Sequence, residues 1–335
     1  MGLYLEEKMS LRPIRLPQDI DIIGEVTLAS FQYPDNPEWS MQAEEMAETS
    51  DMIQQIKRYW PLLSVLRRVS RRFNDMFLGY IWEEEGQVAG LIMYQRRSAV
   101  EYYINNVSVL PGYRRRGIAR KLVEAVIQQI RTEGGKKILL DVIAGNLPAR
   151  SLYEKLGWEH FSGTRHFSFT SAELPDPLPL PVGYQLDELP RSQWRAGYEL
   201  DRRIVPTRVQ AFRPVVERAY RDTFFNRFFD ALMGMKIRRV LVTQEGGSSV
   251  AAGMYSYRTR SGGINHAFLR IDPAHEQIGT ALLQALMHRV QSAAPGKDLE
   301  VVFPTWQSGM AEACQREGFV ERYTYLTMGL ELDPI

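Results

Sequence analysis

The segment from Asn106 to Arg120 constrains the fold more than any other part of this 335-residue chain. Its apolar, β-branched start, with Val107 and Val109, predicts a strand that ends at Pro111. A basic loop, Arg114-Arg115-Arg116, and then Gly117 follow, and the sequence becomes helical from Lys121 to Ile130. The first N–H groups of a helix have no intrahelical acceptor and lie at the positive end of its dipole, so this order predicts a phosphate site.

The loop from Arg114 to Ala119 resembles the R/Q-x-x-G-x-G/A signature of the GNAT superfamily of acyl-CoA-dependent N-acetyltransferases. The resemblance implies that the loop binds the pyrophosphate of acetyl-CoA and that the backbone of the preceding strand binds the pantetheine arm. Gly117 lets the pyrophosphate approach the backbone because glycine has no Cβ. The alternative for the three arginines is a solvated basic turn. The implied acetyl-CoA contacts are Val107, Val109, Arg114, Arg115, Arg116, Gly117, Ile118 and Ala119.

A second motif follows about thirty residues later, where N-L-P-A-R-S-L-Y-E-K-L-G-W begins at Asn146. It resembles the GNAT signature N-x-x-A-x-x-x-Y-x-K-x-G-F/W. The resemblance implies that Asn146 contacts the pantetheine and that the hydroxyl of Tyr153 protonates the departing thiolate. Their spacing of seven places both near one face of a helix. The alternatives are a helix N-cap for Asn146 and an ordinary core tyrosine for Tyr153.

Amide formation from a thioester also needs a base, since an amine is mostly protonated near neutral pH. Backbone N–H groups of the central strand can stabilise the oxyanion, and an acid can assist the leaving thiolate. We predict Asp141 as the base, because it resembles the carboxylate at that position in ribosomal-protein N-terminal acetyltransferases, which carry the longer Glu. The alternatives are a base acting through water, Glu101 at the start of the central strand, and a merely solvated Asp141.

The first half of the chain has the element order of an α/β (α+β) domain, a mixed, mostly antiparallel sheet flanked by helices. This order resembles the GNAT fold over residues 11–171. The helical stretch 39–74, broken near Pro61, is longer than the family's usual element over the acceptor site, so we expect it to shape substrate choice. The other predicted elements are strands 11–16, 76–82, 87–95, 138–143 and 161–170, a helix 17–31 capped near Asp19, and a turn at Glu85-Gly86.

The second half repeats this plan with a period of about 160 residues, which resembles a tandem GNAT protein. Pro273 aligns with Pro111, and Gly279 aligns with Gly117. The predicted domains are 11–172 and 184–333, joined by a proline-rich extended linker, 173–183. The predicted elements are strands 237–243, 249–257, 265–271 and 299–303, and helices 281–290 and 309–316.

The chemistry does not repeat, so the second domain is predicted to be a degenerate copy that acts as a scaffold, closes the acceptor cleft or contacts a partner. Glu276 stands in the place of Arg114 and would repel a pyrophosphate. Gln307 stands in the place of Asn146. Cys314 takes the place of Tyr153, either as a buried structural cysteine or as a thiol acid. An aromatic cluster suits a core or an interface: Phe224, Phe225, Phe228 and Phe229.

Composition narrows the remaining classes of function. A net charge of +1 gives no case for a nucleic-acid or membrane surface, and no apolar run approaches the roughly 20 residues of a membrane helix. The N-terminus lacks a signal-peptide pattern, and the single cysteine excludes an internal disulfide framework. Scattered histidines predict no metal site. We expect a cytoplasmic monomer.

Three hypotheses follow. The first is an N-acetyltransferase that moves the acetyl group of acetyl-CoA to a primary amine of a small molecule. The second is a protein or peptide N-terminal acetyltransferase, and the third is a non-catalytic acyl-CoA-binding interaction protein. Tandem GNAT proteins that make mycothiol carry the active site in the C-terminal domain, which argues against the same reaction here, where the intact motifs are N-terminal.

Overall fold

The computed structural model describes residues 9–69, 75–170, 174–221, 223, 227–228, 230–231, 234–258 and 264–332. By compactness the chain divides into two units, Met1–His160 with Thr327–Ile335, and Phe161–Leu326. Among the described residues, no helix is long and apolar enough to cross a membrane. The domain boundaries inferred from sequence remain a prediction.

The first unit contains an antiparallel strand series that ends in one parallel pair. Strands β1 to β4 are neighbours in chain order and antiparallel, and β5 lies parallel to β4. The strands are β1 (Met9–Pro13), β2 (Leu78–Glu84), β3 (Gln87–Arg96), β4 (Glu101–Val109) and β5 (Lys137–Ile143). The helices are α1 (Ile20–Ser30), α2 (Ala43–Arg58), α3 (Trp60–Val69), α4 (Ile118–Thr132) and α5 (Leu147–Lys155).

Local chemistry explains several of these boundaries. Glu85 and Gly86 both have positive φ, 50° and 79°, which matches the twist of a two-residue hairpin turn and confirms the turn predicted between β2 and β3. Helix α4 buries one apolar face, with Leu122, Val126 and Ile130 inaccessible to solvent, and packs on β2, β3 and β4. This packing holds the N-terminus of α4 just beyond the end of β4.

The predicted long helical region is two helices. Helix α2 ends at Arg58, and Pro61 is the second residue of α3, where a missing N–H costs no hydrogen bond. The apolar residues Met52 and Trp60 of this region are exposed and half-buried, respectively. Residues 70–74 lie outside the described part.

Helix α1 begins later than predicted because its expected cap has another role. Asp19 precedes α1, but its carboxylate accepts hydrogen bonds from the Arg12 guanidinium at 2.8 and 3.0 Å and from the Arg15 N–H at 2.6 Å. No side-chain cap hydrogen bond forms. The carboxylate therefore ties β1 to the helix start and leaves the first helical N–H groups uncapped.

The second unit repeats the strand arrangement and adds elements that the sequence did not predict. Its strand order runs from β12 through β6, β11, β10, β9 and β8 to β7. The strands are β6 (Glu159–Phe169), β7 (Tyr184–Glu188), β8 (Met235–Gln244), β9 (Ser249–Arg258), β10 (Asn265–Ile271), β11 (Leu299–Pro304) and β12 (Val320–Glu331). The helices are α6 (Trp194–Ile204), α7 (Thr207–Phe212), α8 (Gly279–Ala293) and α9 (Gly309–Arg316). Strands β7 and β12 and helices α6 and α7 had not been predicted.

Strand β6 forms where the sequence predicts it, but most of it lies in the second unit, where it pairs antiparallel with β11. Residues 320–326 of β12 belong to the second unit and residues 327–331 to the first. The proline-rich segment packs on α8, since the Leu178 N–H donates to Gln284 Oε1 at 2.7 Å. Of the predicted aromatic cluster, only Phe228 lies among the described residues.

Candidate active site

The central strand and its parallel neighbour separate halfway along their length. Pairing between β4 and β5 runs from Glu101 opposite Lys137 to Ile104 opposite Leu140. The register between β3 and β4 shifts at the same level, because Met93 pairs with Asn106 and Tyr94 with Ile104. Within the described residues, the last five residues of β4 have no ladder partner on the β5 side, so the two strands leave a split there, at whose end the Val109 carbonyl accepts the Arg114 Nε–H at 3.4 Å.

The loop at the mouth of this split turns its backbone towards the start of α4. Arg115 and Gly117 have left-handed φ values of 66° and 79°. The first intrahelical bond runs from the Lys121 N–H to the Gly117 carbonyl, 3.1 Å, so the N–H groups of the three intervening residues have no acceptor within the helix. A Cβ on Gly117 would meet nothing within 4 Å, so the space above it is open. This loop fits a pyrophosphate.

The three arginines of the loop have different surroundings. Arg114 donates to the Ser30 carbonyl at the end of α1, 2.7 Å, and lies 4.4 Å above the ring of Tyr33. Arg116 pairs with Glu84 at 3.1 Å. Arg115 is exposed and has no hydrogen bond or ion pair to any other described residue. The side chain available for an anion is therefore Arg115, while Arg114 fixes the end of α1.

The Asn146 side chain acts as a helix cap. Its Oδ1 accepts the Ala149 N–H at 3.2 Å, as the alternative interpretation expects. Gly157, with φ +90°, ends α5, and the Trp158 N–H donates to the Tyr153 carbonyl at 3.0 Å. The second motif therefore specifies the two ends of one short helix, and this fixes Tyr153 between them.

Tyr153 is 7 % exposed, and its ring packs edge-on against Trp158 with centroids 5.8 Å apart. Among the described residues its hydroxyl makes no hydrogen bond. Burial, with a contribution from nearby Tyr33, raises the pKa of Tyr153 above its ordinary value, so the phenol stays protonated across the neutral range.

Two further hydrogen-bond donors near this tyrosine are buried without a partner in the described part of the chain, the indole N–H groups of Trp39 and Trp158. Trp39 packs on Gly145, where a Cβ would lie 3.1 Å from the indole nitrogen, and its ring meets Tyr33 edge-on at 5.8 Å. An unpaired buried donor is costly, so neither indole N–H has the compensation that buried polar groups usually have.

The predicted base lies at the opening of the split. Asp141 is exposed and is the first residue of β5 beyond the paired segment. It accepts a hydrogen bond from the Tyr103 hydroxyl at 2.6 Å, and Arg97 lies 3.9 Å above the Tyr103 ring. Glu101 lies at the other end of β4, paired with the first residue of β5. The structure thus brings Asp141, and not Glu101, to the split.

Sequence reasoning missed Tyr33, Trp39 and Tyr103. The first two lie in the connection after α1, which carries no shared motif. Tyr103 is separated from Asp141 by 38 positions and meets it because β4 and β5 are parallel neighbours. Only the alternating pattern around Tyr103 could have placed it on the same face as Asp141.

In the second unit the corresponding split is bridged. Pairing of β10 with β11 ends at Phe268 opposite Val302. Beyond it, the buried Gln307 amide donates to the Ile271 carbonyl at 2.9 Å, across the gap. At the matched position of β4, the Val109 carbonyl accepts the Arg114 Nε–H at 3.4 Å instead, so different side chains serve the two strands.

The second unit's loop also differs from that of the first. Gly279 is helical, with φ −56°, where Gly117 is left-handed, and a Cβ on it would lie 3.1 Å from Met310 Sδ. The Glu276 carboxylate packs on Gly309, where a Cβ would come within 2.7 Å of it. Cys314 is inaccessible, and burial raises the pKa of its thiol to about 12. In the described ranges no group of three or more His, Cys, Asp or Glu could hold a metal ion.

Comparison with known proteins gives a family. Residues 37–158 match the acetyltransferase (GNAT) family. Mycothiol acetyltransferase of Corynebacterium glutamicum is 33 % identical over 86 residues, 26 % of this chain and 29 % of that protein. The [ribosomal protein bS18]-alanine N-acetyltransferase of Salmonella typhimurium is 37 % identical over 73 residues, 22 % of this chain and 49 % of that protein. The chain thus spans at most about half the length of these curated relatives.

Solved structures extend the likeness in fold to the whole chain. A tandem GNAT protein from the clavulanic acid biosynthesis pathway has a TM-score of 0.63 at 15 % identity, covering 98 % of this chain and 100 % of that one. A GCN5-related N-acetyltransferase from Sphaerobacter thermophilus has a TM-score of 0.65 at 14 % identity, covering 97 % and 96 %. The chain therefore carries a domain of the GNAT acetyltransferase family and has the fold of a tandem GNAT protein.

Proposed function

We propose that the first unit transfers an acetyl group from acetyl-CoA to a primary amine of a small molecule by direct attack. The observation that carries the proposal is the open split between β4 and β5, with the glycine loop at its mouth and the free hydroxyl of Tyr153 nearby. A family match over residues 37–158 supports the same chemistry.

Backbone groups of the loop and of β4, together with one arginine side chain, would hold acetyl-CoA. The N–H groups of Ile118 and Ala119 and the side chain of Arg115 would bind the pyrophosphate, and the unpaired half of β4 from Val107 to Val109 would bind the pantetheine. Acetyl-CoA supplies a thioester, an acyl donor with a thiolate leaving group.

The chain's own groups then move two protons. Asp141, hydrogen-bonded to Tyr103, removes a proton from the acceptor nitrogen, directly or through water. The phenol of Tyr153 donates its proton to the departing sulfur as the carbon–sulfur bond breaks and the carbon–nitrogen bond forms. Solvent returns the proton from Asp141 to Tyr153, which closes the cycle. The raised pKa keeps the phenol in its protonated form at neutral pH, which is the form that donates.

Aromatic side chains beside the second motif support a compact acceptor. Trp158 packs against Tyr153, Trp39 packs against Tyr33, and the two indole N–H groups have no partner in the described residues. Such donors would bind hydroxyl or carbonyl oxygens of a small acceptor. A similarity to mycothiol acetyltransferase, an enzyme named for a small thiol, points the same way.

A peptide acceptor is the second candidate, favoured by one observation. The curated relative with the higher identity is named as an alanine N-acetyltransferase of a ribosomal protein. A screen that pairs a panel of small amines with peptides bearing N-terminal alanine separates the two. Turnover of peptides alone would overturn the small-molecule proposal.

Calorimetry of acetyl-CoA binding tests the site itself. We expect one site per chain in the wild type and at least tenfold weaker binding in Gly117→Ala, because a methyl group would occupy the open space at a left-handed residue. Gly112→Ala is the matched control, since Gly112 lies in the same loop outside the left-handed region with nothing within 4 Å of its Cβ position. No binding to the wild type would overturn the acetyltransferase proposal and favour a non-catalytic role.

A further inference from the structure

The second unit contains a cavity that the proposed acetyl transfer does not use. Its volume is about 520 Å³. It lies at the N-terminus of α6, beside the single turn Arg191–Gln193. Its lining consists of Arg191, Ser192, Trp194, Arg195, Arg221 and Arg227. Within the part of the chain that the structure describes, every lining side chain can donate a hydrogen bond and none is a carboxylate, so this lining is complementary to a ligand made of acceptors.

Aromatic stacking fixes two of the arginines at the wall. The guanidinium carbons of Arg195 and Arg221 each lie 5.2 Å from the centre of the Trp194 ring. Arg221 is also held by Glu217 at 2.8 Å. Guanidinium groups held in this way lose less conformational entropy when they bind an anion, so the cavity is partly organised before a ligand arrives.

The backbone adds donors at the same place. Helix α6 has 11 residues, and the residue that precedes it, Gln193, makes no side-chain cap hydrogen bond. The first N–H groups of α6 are thus without a side-chain acceptor next to the arginine-lined cavity. Phosphate oxygens suit both donor types, because guanidinium groups bind them in pairs and a helix N-terminus favours negative charge.

We propose that this cavity binds a small organic ligand carrying at least two phosphate groups. Its volume is within the roughly 300–1,000 Å³ of small-molecule sites and exceeds what one phosphate fills. Arginines on two separate segments, before α6 and around Arg221, give the ligand two anion subsites. The site lies in the second unit, where Gln307 and Glu276 occupy the positions that correspond to the acetyl-CoA site proposed for the first unit.

Calorimetry on the full-length chain with inorganic pyrophosphate and orthophosphate, at fixed ionic strength, tests this proposal. We expect pyrophosphate to bind at least tenfold more tightly than orthophosphate, and Arg195→Gln to weaken the pyrophosphate site at least tenfold. Arg322→Gln is the control, because Arg322 is an exposed arginine of the second unit outside the cavity lining. We expect it to change the affinity less than twofold.

The first unit's loop is also proposed to bind a pyrophosphate. Variants are therefore needed to assign each binding signal to its site. Gly117→Ala should leave the site that Arg195→Gln removes, and Arg195→Gln should leave acetyl-CoA binding unchanged. Loss of acetyl-CoA binding in every protein, with the pyrophosphate site intact, would sink the acetyltransferase proposal and spare this one. Equal weakening by Arg195→Gln and Arg322→Gln would overturn the cavity site, as would tighter binding of a glutamate-rich peptide than of pyrophosphate.

Discussion

The two parallel strand pairs of this protein separate at equivalent places but fill the resulting gap differently. In the first unit, β4 and β5 part after Ile104, and the Val109 carbonyl accepts the Arg114 Nε–H at 3.4 Å. In the second unit, Gln307 spans the gap between β10 and β11 and donates to the Ile271 carbonyl at 2.9 Å. The side chain that bonds the strand end therefore comes from the following loop in the first unit and from the other side of the gap in the second.

The two loops reinforce this contrast. Left-handed residues at Arg115 and Gly117 turn the first loop outwards, whereas Gly279 continues directly into helix α8. A carboxylate, Glu276, lies against the start of α9. The loops and strand ends of the two units therefore differ at matched positions, with a left-handed Gly117 in one and a helical Gly279 beside Glu276 and Gln307 in the other.

Replacement of Tyr153, the proposed general acid, should give the largest difference between the two units. Tyr153→Phe keeps the ring that packs on Trp158 and removes only a hydroxyl without a described partner. We expect kcat for acetyl transfer to fall about 10²–10⁴-fold, the range of general acid catalysis, with acetyl-CoA affinity unchanged. Steady-state kinetics on the best acceptor measures the effect. Cys314→Ala, at the matched position of the second unit, should leave kcat unaltered. An unchanged kcat in Tyr153→Phe would refute the role of this phenol.

A buried carboxylate of the second unit, Glu300, makes the stability of that unit depend on pH in the acidic range. Glu300, on β11, aligns with apolar Leu139 of β5 at the spacing that places Gln307 on Asn146. Burial opposes its ionisation, but hydrogen bonds from His166 at 2.9 Å and from His266 outweigh burial and lower the Glu300 pKa from 4.5 to about 2. Such a group stabilises the fold above its unfolded pKa, and this contribution is lost as the pH falls from about 4.5 to about 2.

We therefore expect Glu300→Gln to reduce the free energy of unfolding by about 3 kcal/mol at pH 7. The difference from the wild type should shrink below pH 4.5 and vanish near pH 2. Urea unfolding at several pH values measures it. Glu331→Gln is the control, because that side chain is 69 % exposed. A difference that does not depend on pH would show that the carboxylate charge is not the cause.

The sequence predicts contacts between residues that are close along the chain better than contacts between residues that are far apart along it. Both ends of α5 follow from local chemistry, a capping Asn146 and a left-handed Gly157, and the sequence predicts them. The alternating pattern of β6 predicts a strand but not its partner, which lies 134 positions away where His166 meets Glu300. The contact of Tyr103 with Asp141 is equally non-local. Motifs predict the cleft, while pairing between distant strands decides what lines it.

Removal of the two matched amides gives the smallest effects and compares the clefts directly. Asn146→Ala loses an N-cap and should cost about 1 kcal/mol of stability. Gln307→Ala removes the hydrogen bond to the Ile271 carbonyl, and such a loss costs about 1–3 kcal/mol of stability. We expect a value near the lower end, because the variant also removes the buried Gln307 Oε1, which has no partner among the described residues. Thermal unfolding measures both.

Binding separates these two variants more sharply than stability does. We expect Asn146→Ala to weaken acetyl-CoA binding several-fold, because the resemblance implies that this amide contacts the pantetheine, whereas Gln307→Ala should leave the affinity of the first site unchanged. A second acetyl-CoA site in Gln307→Ala would mean that this one amide closes the second cleft. The absence of a second site is the result we expect, since Glu276 and the helical Gly279 still oppose a pyrophosphate there.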